Sequence, residues 1–346
     1  MGKKNDIWYD YDLTIFSKSF WMFFKYAWSQ SLEIKSLINK DLMGGGKSRF
    51  FYFLDMCWCY VRYGATTSDY QRNKFYKLNS SYRDTFLTFR RYIHLIQRRM
   101  DFDTHLLFKN KSDFNKSYKE FVGRDWCVIN KETSLDFIYN FIDTHNGEAI
   151  VKAMDEMQGN GIYKISRTRT SKIEDLMLDL KYGKEFLLEE IIENIEDIKN
   201  INPSTLNTIR VNTFLDKDAK VHILSVVLRV GGVNADVDNW AAGGVVYLVD
   251  KKDGIIKGEG LDKKGNFFVY HPLTNVKVSG FEVPNFNKLI GWVKNLAIKN
   301  NKAKLVGWDI AVTNNGFELI EGNFAADEHL IQLDGIGKYR FIIDNW

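Results

Sequence analysis

VGWDIAVTNNGFELIEGNF, residues Val306–Phe324, has the pattern of a β-hairpin. Apolar and polar residues alternate on both sides of TNNG, and the Asn-Gly pair favours a tight turn at Asn315 and Gly316. Side chains on a strand repeat every two residues, so each strand presents one polar and one apolar face. The sequence therefore predicts two antiparallel strands joined by a short turn.

Three oxygen-bearing side chains share the polar face of this hairpin. Glu321 and Asn323 lie two residues apart on the second strand, and folding the hairpin brings Asp309 beside them. Carboxylate and amide oxygens suit Mg²⁺ or Mn²⁺, with water and phosphate oxygens completing the coordination. The alternative interpretation is an ordinary solvated hairpin face, and the spacing alone leaves both open.

Length and composition limit the class of protein. A chain of 346 residues with 45 % hydrophobic and 27 % charged residues is long enough for two or three domains with sizeable cores. Cys57, Cys59 and Cys127 form no CxxC pair, which favours a reducing compartment and argues against a zinc site. The first residues lack the apolar core of a signal peptide, and no run reaches the ~18 apolar residues of a membrane helix. The expected location is cytoplasmic.

The first hundred residues are basic and aromatic. They hold 17 Lys and Arg against 8 Asp and Glu, and FLTFRRYIHLIQRRM has the pattern of a basic amphipathic helix. A second predicted helix, IFSKSFWMFFKYAW, carries Phe16, Phe20, Phe23, Phe24 and Trp28. Such a surface could dock on an anionic membrane or a lipid-linked glycan, which would place the protein peripherally at the inner face of the membrane. The favoured alternative is that the aromatic residues form a core beneath solvated Lys and Arg, and no nucleic-acid motif accompanies the charge.

A strand, a turn and a second strand follow in the middle of the chain. EAIVKAM places Lys152 in a short apolar strand, and the turn before GIYKI contains Gly159 and Gly161. Backbone N–H groups at such glycines can approach phosphate oxygens closely, and Lys152 would add a positive charge. Lysines in strands and GNG turns are also common without a ligand.

Further strands carry charged residues inside apolar runs. KEFLLEEIIEN has the pattern of a strand whose backbone could bond an adenine edge, with Glu190 placed to accept from a ribose hydroxyl. NTIRVNTFLD and AKVHILSVVLRVGG predict paired strands that contain Arg210 and Arg229. An arginine in a strand interior requires an anionic partner, unless both are surface residues of edge strands. Asn239 lies on the loop that follows.

Taken in order, these segments resemble an ATP-grasp enzyme, and more narrowly the sugar-transfer-associated ATP-grasp proteins of polysaccharide gene clusters. Features of the RimK-like glutamate ligases are also present. The similarity covers roughly Asp69–Ile331 and implies an α+β ATP-grasp fold, in which two α+β lobes grip ATP, behind a helical, basic N-terminal region. The segments that carry it are LFKNKSDF, AIVKAMDEMQGNG, FLLEEIIEN, NPSTLNTIRVNTF, LRVGGVNADVDNWAAGG, YHPLTNVKVSGFEVP and GWDIAVTNNGFELIEGN.

The resemblance implies a nucleotide site and a metal site. Lys111 and Lys152 match the lysines that contact the nucleotide phosphates, and Asp309, Glu321 and Asn323 match the ligands of two magnesium ions, for which Mn²⁺ could substitute. The mobile loop over the phosphates matches Gln158, Gly159 and Gly161, and the adenine hinge matches Glu189, Glu190, Ile191 and Ile192.

Three further residues match positions around the reacting groups. Arg229 matches the arginine that steadies the transferred phosphoryl group, while Arg210 and Asn239 match positions near the acceptor or the metal. His271, before Pro272, is either a positioning group or base on the acceptor side or a structural turn residue.

The predicted domains are a helical basic region at 1–110, a central lobe at 111–190 and a C-terminal lobe with the metal site at 191–346. The predicted activity is ATP- and Mg²⁺-dependent carboxylate–amine ligation through an acyl phosphate, on a sugar acid or amino acid unit in surface polysaccharide biosynthesis. The expected partners are the carboxylate and amine substrates, small molecules or glycans, and no nucleic acid. The alternatives are an ATP-grasp sugar kinase and a non-catalytic protein that docks on a membrane or a glycosyltransferase.

Overall fold

The computed structural model describes residues 15–41, 46–154, 161–232, 243–324 and 326–346. The chain divides into two compact units. The helical unit contains the residues up to Met100 together with Asp327–Trp346, and the sheet unit contains Asp101–Ala326. Helices and antiparallel strands together confirm the predicted α+β class and the helical N-terminal region.

Several helices begin at a side chain that caps the first turn. Ser48 accepts from the Phe51 N–H at 3.2 Å and Ser134 accepts from the Phe137 N–H at 3.2 Å, which satisfies amide groups that have no partner within the helix. In the described ranges the α-helices are α1 (Ile15–Asp41), α2 (Arg49–Tyr63), α3 (Thr67–Arg72), α4 (Ser80–Arg83), α5 (Phe89–Arg99), α6 (Phe102–Lys109), α7 (Lys111–Ser117), α8 (Leu135–Thr144), α9 (Thr170–Lys181), α10 (Glu196–Lys199), α11 (Phe286–Ile298), α12 (Glu328–Ile331) and α13 (Tyr339–Asn345).

The core of the helical unit is rich in aromatic residues. Tyr70 and Arg83 both bind the Asp55 carboxylate, at 2.7 Å each, and so anchor α3 and α4 to α2. The buried side chains of this core include Tyr52, Phe53, Met56, Cys59, Tyr63, Tyr70, Phe75 and Phe86. The favoured interpretation of the aromatic residues in α1 as core is nevertheless wrong for Phe24 and Trp28, which are 37 % and 44 % exposed. Phe16 and Phe20 have side chains outside the described set.

The last residues of the chain pack on the N-terminal helices. The Gln332 side chain accepts from the Leu87 N–H at 2.7 Å and donates to the Leu87 carbonyl at 3.0 Å. The Tyr339 N–H donates to the Thr85 carbonyl at 2.8 Å. Residues 327–346 therefore belong to the helical unit, which differs from the predicted end of the C-terminal lobe at 346. The boundary between the two lobes stays a prediction.

The sheet unit contains two antiparallel sheets in its described part. The smaller has the order β1-β4-β2-β3, and the larger has the order β11-β10-β5-β6-β7-β8-β9. The strands are β1 (Trp126–Ile129), β2 (Glu148–Ala153), β3 (Ile162–Ser166), β4 (Phe186–Glu189), β5 (Thr208–Leu215), β6 (Val221–Val230), β7 (Val245–Val249), β8 (Gly260–Leu261), β9 (Phe267–Phe268), β10 (Leu305–Thr313) and β11 (Gly316–Phe324).

The predicted hairpin is β10–β11. Its register pairs Thr313 with Gly316, whose φ of 118° lies in the region that glycine tolerates best. Asp309 lies directly opposite Glu321, and a β-bulge follows this pair. The hairpin and the register that joins the two carboxylates are therefore confirmed.

One face of each sheet is apolar and the other carries the polar residues. In the larger sheet Trp308 packs against Phe108, with ring centroids 5.7 Å apart, and joins the core of α6, α7 and α11. In the smaller sheet Val151 and Leu188 pack in the core formed with α8 and α9. Since neighbouring strand residues face opposite ways, the residues next in sequence lie on the other face of each sheet.

Candidate active site

Asp309 is the centre of a buried ion-pair cluster on the polar face of the larger sheet. Arg210 binds it with both ends of the guanidinium group, Nε to Oδ1 at 2.5 Å and Nη2 to Oδ2 at 2.6 Å. Arg229 donates from Nη1 to Oδ2 at 2.6 Å. The three residues come from adjacent strands, β10, β5 and β6, and all are buried.

The arginines determine the charge of Asp309. Burial alone would raise the pKa of this carboxyl, but the guanidinium groups of Arg210 and Arg229 outweigh it and lower the pKa to about 2. Asp309 is therefore ionised at neutral pH. The sequence prediction that both arginines need an anionic partner is confirmed, and neither lies on the surface of an edge strand.

Glu321 lies beside this cluster and opens to solvent. Within the described ranges its carboxylate accepts no hydrogen bond and forms no ion pair, although directly opposed strand residues have Cβ atoms only about 5 Å apart. Desolvation by the surrounding protein atoms and the negative charge of Asp309 both raise the pKa of the Glu321 carboxyl. A carboxylate held next to another one without a partner of its own is well suited to bind a cation.

Asn323 completes the oxygen set that the sequence predicted. Its Nδ2 donates to Asp309 Oδ2 at 3.1 Å, which leaves its amide oxygen available as a ligand. Oδ1 of Asp309 accepts from Arg210 alone among the described residues, so it keeps a free lone pair. By donor type, the three side chains suit a hard divalent cation such as Mg²⁺.

A second ion-pair cluster lies on the smaller sheet. Lys152 of β2 binds the carboxylate of Glu189 on β4, and Arg124 Nη2 donates to Glu189 Oε1 at 3.0 Å. Burial would raise the pKa of Glu189, but Arg124 and Lys152 together lower it to about 2. The positive charge of Lys152 also opposes the rise in the pKa of Glu321, so this lysine lies within electrostatic reach of a carboxyl on the larger sheet.

Arg124 joins the two sheets and was missed in the sequence. Besides Glu189, it binds Glu318 of β11 at 2.7 Å and donates to the Leu319 carbonyl at 2.6 Å. The Gly123 N–H also donates to Glu318, at 2.9 Å. The only sequence signal was an arginine placed directly before the apolar strand β1, which does not name partners 65 and 194 residues away.

Comparison with known proteins identifies the family. Residues 90–337, more than half of the chain, match the family described as sugar-transfer associated ATP-grasp. The chain belongs to this ATP-grasp family. The ATP-grasp fold expected from the sequence is confirmed.

Solved structures of ATP-grasp proteins are similar to this chain at low identity. N5-carboxyaminoimidazole synthetase from Staphylococcus aureus complexed with ADP has a TM-score of 0.47 and 8 % identity over 71 % of this chain and 54 % of that chain. D-alanine–D-alanine ligase from Bacillus anthracis has a TM-score of 0.41 and 14 % identity over 69 % of this chain and 67 % of that chain. A RimK domain ATP-grasp protein from Sphaerobacter thermophilus has a TM-score of 0.42 and 8 % identity over 70 % and 69 % of the two chains. No curated protein matches the sequence.

The other residues that match ATP-grasp nucleotide positions lie around the smaller sheet. Lys111 Nζ donates to the Ala153 carbonyl at 2.8 Å and to the Met154 carbonyl at 3.3 Å, at the end of β2. Gly161, with a φ of 69°, begins the return toward β3. Gln158 and Gly159 lie outside the described residues, so their place in the ATP-grasp loop stays a prediction.

The expected adenine hinge follows β4. Glu190 is held by two hydrogen bonds, its N–H donating to the Asp125 carbonyl at 2.9 Å and its Oε2 accepting from the Asp125 N–H at 3.1 Å. Ile191 and Ile192 are half-buried. The side chain of Glu189, in contrast, points into the ion-pair cluster with Lys152. The hinge role of this ATP-grasp segment stays a prediction.

His271 lies in a buried turn. Its Nε2 donates to the Gly231 carbonyl at 2.8 Å, its Nδ1 lies 3.1 Å from Thr274 Oγ1, and burial lowers its pKa. Both ring nitrogens contact protein atoms, which favours the structural interpretation of this residue.

Asn239 lies outside the described residues. The described residues on either side of its segment, Gly232 and Gly243, lie close together. A Cβ added to Gly232 would lie only 1.9 Å from the Gly243 carbonyl oxygen.

Proposed function

We propose that this ATP-grasp protein is an ATP- and Mg²⁺-dependent carboxylate–amine ligase that forms an amide through an acyl phosphate. The observation that supports it most is the buried Arg210–Asp309–Arg229 cluster, beside which the Glu321 carboxylate has no partner among the described residues. Such a site places fixed positive charge and cation ligands at one point. Neutralising crowded phosphate and carboxylate oxygens requires both.

ATP would lie between the polar faces of the two sheets. Lys152 and Lys111 would neutralise its phosphates, and the loop that contains Gln158, Gly159 and Gly161 would cover them. The adenine would lie against the segment Glu189–Ile192. The fixed position of Lys152, held by Glu189, supports this placement because the charge is oriented before the nucleotide arrives.

Asp309, Glu321 and Asn323 would hold the magnesium ions, two in number, with Mn²⁺ as a substitute. When bound, the cations neutralise charge on the phosphate oxygens and orient the terminal phosphate. In the absence of cations, Arg210 and Arg229 keep Asp309 ionised, so this ligand needs to lose no proton before it binds a metal.

The chemistry needs no covalent nucleophile from the protein. An oxygen of the substrate carboxylate attacks the γ-phosphorus, the bond from that phosphorus to the β–γ bridging oxygen breaks, and ADP leaves. The amine nitrogen then attacks the acyl carbon, phosphate departs with the electron pair of the carbon–oxygen bond, and the nitrogen loses a proton. Arg229, with Arg210 behind it, would stabilise the oxygens that gain negative charge in both steps.

The family description, sugar-transfer associated, supports a sugar-linked substrate. The acceptor would be a sugar acid or amino acid unit that is modified during surface polysaccharide biosynthesis, with an amino acid or amine as the second substrate. This reaction would take place in the cytoplasm, where ATP is available.

A screen of uronic acids and amino acids for ADP release tests the proposed reaction. A ligase releases ADP only when a carboxylate is present, and added hydroxylamine traps the acyl phosphate as a hydroxamate. A stable phosphosugar in place of the hydroxamate would show a kinase and overturn the ligase proposal. Absence of ADP release with every pair would favour a binding protein.

The Glu321→Gln variant tests the metal assignment. The substitution keeps the shape of the side chain but removes its charge at a solvent-facing position, so we expect at least ~100-fold slower ATP turnover with an unchanged melting temperature. Glu132→Gln is the matched control. Glu132 is also an exposed carboxylate of the sheet unit, but it lies on a turn far from Glu321 in the sequence. Equal turnover in the two variants would contradict the assignment.

A further inference from the structure

Helices α1 and α2 of the helical unit expose large apolar side chains. Trp21 is 70 % exposed, Trp58 is 56 % exposed and Phe51 is 40 % exposed. These three belong to a set that we call the aromatic surface, which consists of Trp21, Phe24, Trp28, Phe51, Leu54 and Trp58. On α2 the members recur at intervals of three and four residues, so they form one stripe along the helix.

The exposed rings of α1 pack against one another and against α2. The ring of Trp21 lies 6.1 Å from that of Phe24, and Phe24 and Trp28 lie 4.8 Å and 5.1 Å from the ring of Phe53 on α2, measured between centroids. These are ordinary distances for packed aromatic pairs. The exposed rings of α1 therefore pack as one group against α2 instead of lying as scattered single residues.

The aromatic surface is separate from the face that each helix uses for its core. Ala27 and Ile34 of α1 and Met56 and Tyr63 of α2 are buried in the core of the helical unit. A helix that packs on one side only is expected to be polar on the other. Apolar residues on both sides indicate a second, external partner, because monomeric proteins seldom expose large apolar patches without a function.

Positive charges are placed among the exposed rings. Lys47 Nζ lies 3.9 Å from the ring centroid of Phe51, and Arg49 Cζ lies 4.0 Å from that of Trp28. Lys25 and Arg62 are exposed on the same helices. Acidic residues are fewer: residues 21–36 and 46–63 hold five Lys and Arg against Glu33 and Asp55, and Asp55 is engaged by Arg83.

We propose that the aromatic surface docks on the headgroup region of an anionic lipid bilayer. Tryptophan and phenylalanine rings insert at the headgroup level, while lysine and arginine bind acidic lipids. A second copy of this chain is a poorer match, because pairing two such surfaces would bring the same cations together. In the part of the chain that the structure describes, no helix combines the length and the hydropathy of a membrane span. The inference does not depend on the proposed ligase activity.

Vesicle co-sedimentation of the full-length chain tests this docking. We expect binding to vesicles of phosphatidylcholine with phosphatidylglycerol, and much weaker binding to phosphatidylcholine alone or at high salt. The double variant Trp21→Ser/Trp58→Ser should reduce the partition coefficient at least about tenfold, because two large rings no longer leave water. Lys25→Gln/Arg62→Gln should reduce it about fivefold for each positive charge removed.

A matched control separates docking from general stickiness. Phe267→Ser removes a ring that is 61 % exposed in the sheet unit, and we expect it to leave vesicle binding unchanged. All variants should retain the wild-type circular dichroism spectrum, since the substituted side chains lie outside the core. Equal loss with Phe267→Ser, or no binding to the anionic vesicles, would overturn the proposal. A dimer that light scattering detects in the wild type and not in Trp21→Ser/Trp58→Ser would also overturn it.

Discussion

Asp309 of the sheet unit and Glu328 of the helical unit are both buried carboxyls, at 3 % and 8 % exposure. The pKa of Asp309 is nevertheless lowered, whereas that of Glu328 is raised. Burial acts on both in the same way and favours the neutral form. Two arginines contact Asp309 and lower its pKa to about 2, whereas burial and the neighbouring Asp327 raise the pKa of Glu328 to about 8. The partner, and not the depth of burial, therefore sets the charge.

The surroundings of Glu328 form a small acidic cluster. One oxygen of Asp69 accepts from Thr66 and Phe89, while its Oδ1 is buried and has no hydrogen bond among the described residues. His329 Nε2 lies 3.4 Å from Glu328 Oε1, and burial lowers the pKa of His329. Two carboxyls and one imidazole thus share a site in which charge is disfavoured, the reverse of the Asp309 cluster.

The largest expected effect comes from breaking the Asp309 cluster with Arg210→Leu. Removing the bidentate partner leaves a buried carboxylate under-compensated, which costs about 3–5 kcal/mol in the free energy of unfolding. Urea denaturation of the variant and the wild type measures the difference. The double variant Arg210→Leu/Asp309→Asn should recover part of the loss, because the carboxylate that lost its bidentate partner is gone while an amide oxygen remains to accept from Arg229.

The pH dependence of the stability difference between wild type and Arg210→Leu tests the charge of Asp309 further. The pKa of Asp309 is lowered from 3.8 to about 2, so the stability it contributes is present above its unfolded value and is lost as pH falls through about 2. We therefore expect the gap between wild type and Arg210→Leu to persist from neutral pH down to about pH 4. A gap that closes already at pH 6 would contradict the assigned charge state.

An intermediate effect is expected from Glu328→Gln. A raised folded pKa means that the native state holds the proton, so the stability contributed by Glu328 is fully present below 4.5 and is lost as pH rises through about 8. Glutamine remains neutral at every pH and lacks this loss. Relative to wild type, the variant should gain on the order of 2 kcal/mol between pH 5 and pH 8, measured by urea denaturation at both values. A pH-independent difference would show that Glu328 is ionised throughout.

The smallest effect is expected from an exposed pair with the same geometry as the Arg210–Asp309 pair. Arg167 binds Asp143 through Nε at 2.7 Å and Nη2 at 2.5 Å, but both side chains are about half exposed. Water already solvates these charges, so Arg167→Leu should leave the urea midpoint within error of wild type. A loss as large as that of Arg210→Leu would show that contact geometry, and not burial, explains the strength of the cluster.

The hairpin at the centre of the site was predictable from local sequence. Strand periodicity and the Asn-Gly turn were enough to place Asp309 opposite Glu321, with Asn323 on the same face. Two arginines in strand interiors also predicted an anionic partner. The identity of that partner was not predictable, because Arg210 and Asp309 are 99 residues apart and meet only through the strand order of the sheet.

Long-range pairing also explains what the sequence analysis missed. The resemblance places Glu189 in the adenine hinge, but it does not reveal that strand alternation turns the Glu189 side chain toward Lys152 and Arg124. The exposed rings of α1 could not be separated from core rings, because helical periodicity marks an apolar face without showing what covers it.

Arg124 spans the two sheets with a single side chain, holding Glu189 at one end and Glu318 at the other. A contact of this kind acts as a pivot, because the strands it fixes cannot separate without exposing two buried carboxylates. We therefore expect any opening between the two sheets to be smallest beside Arg124.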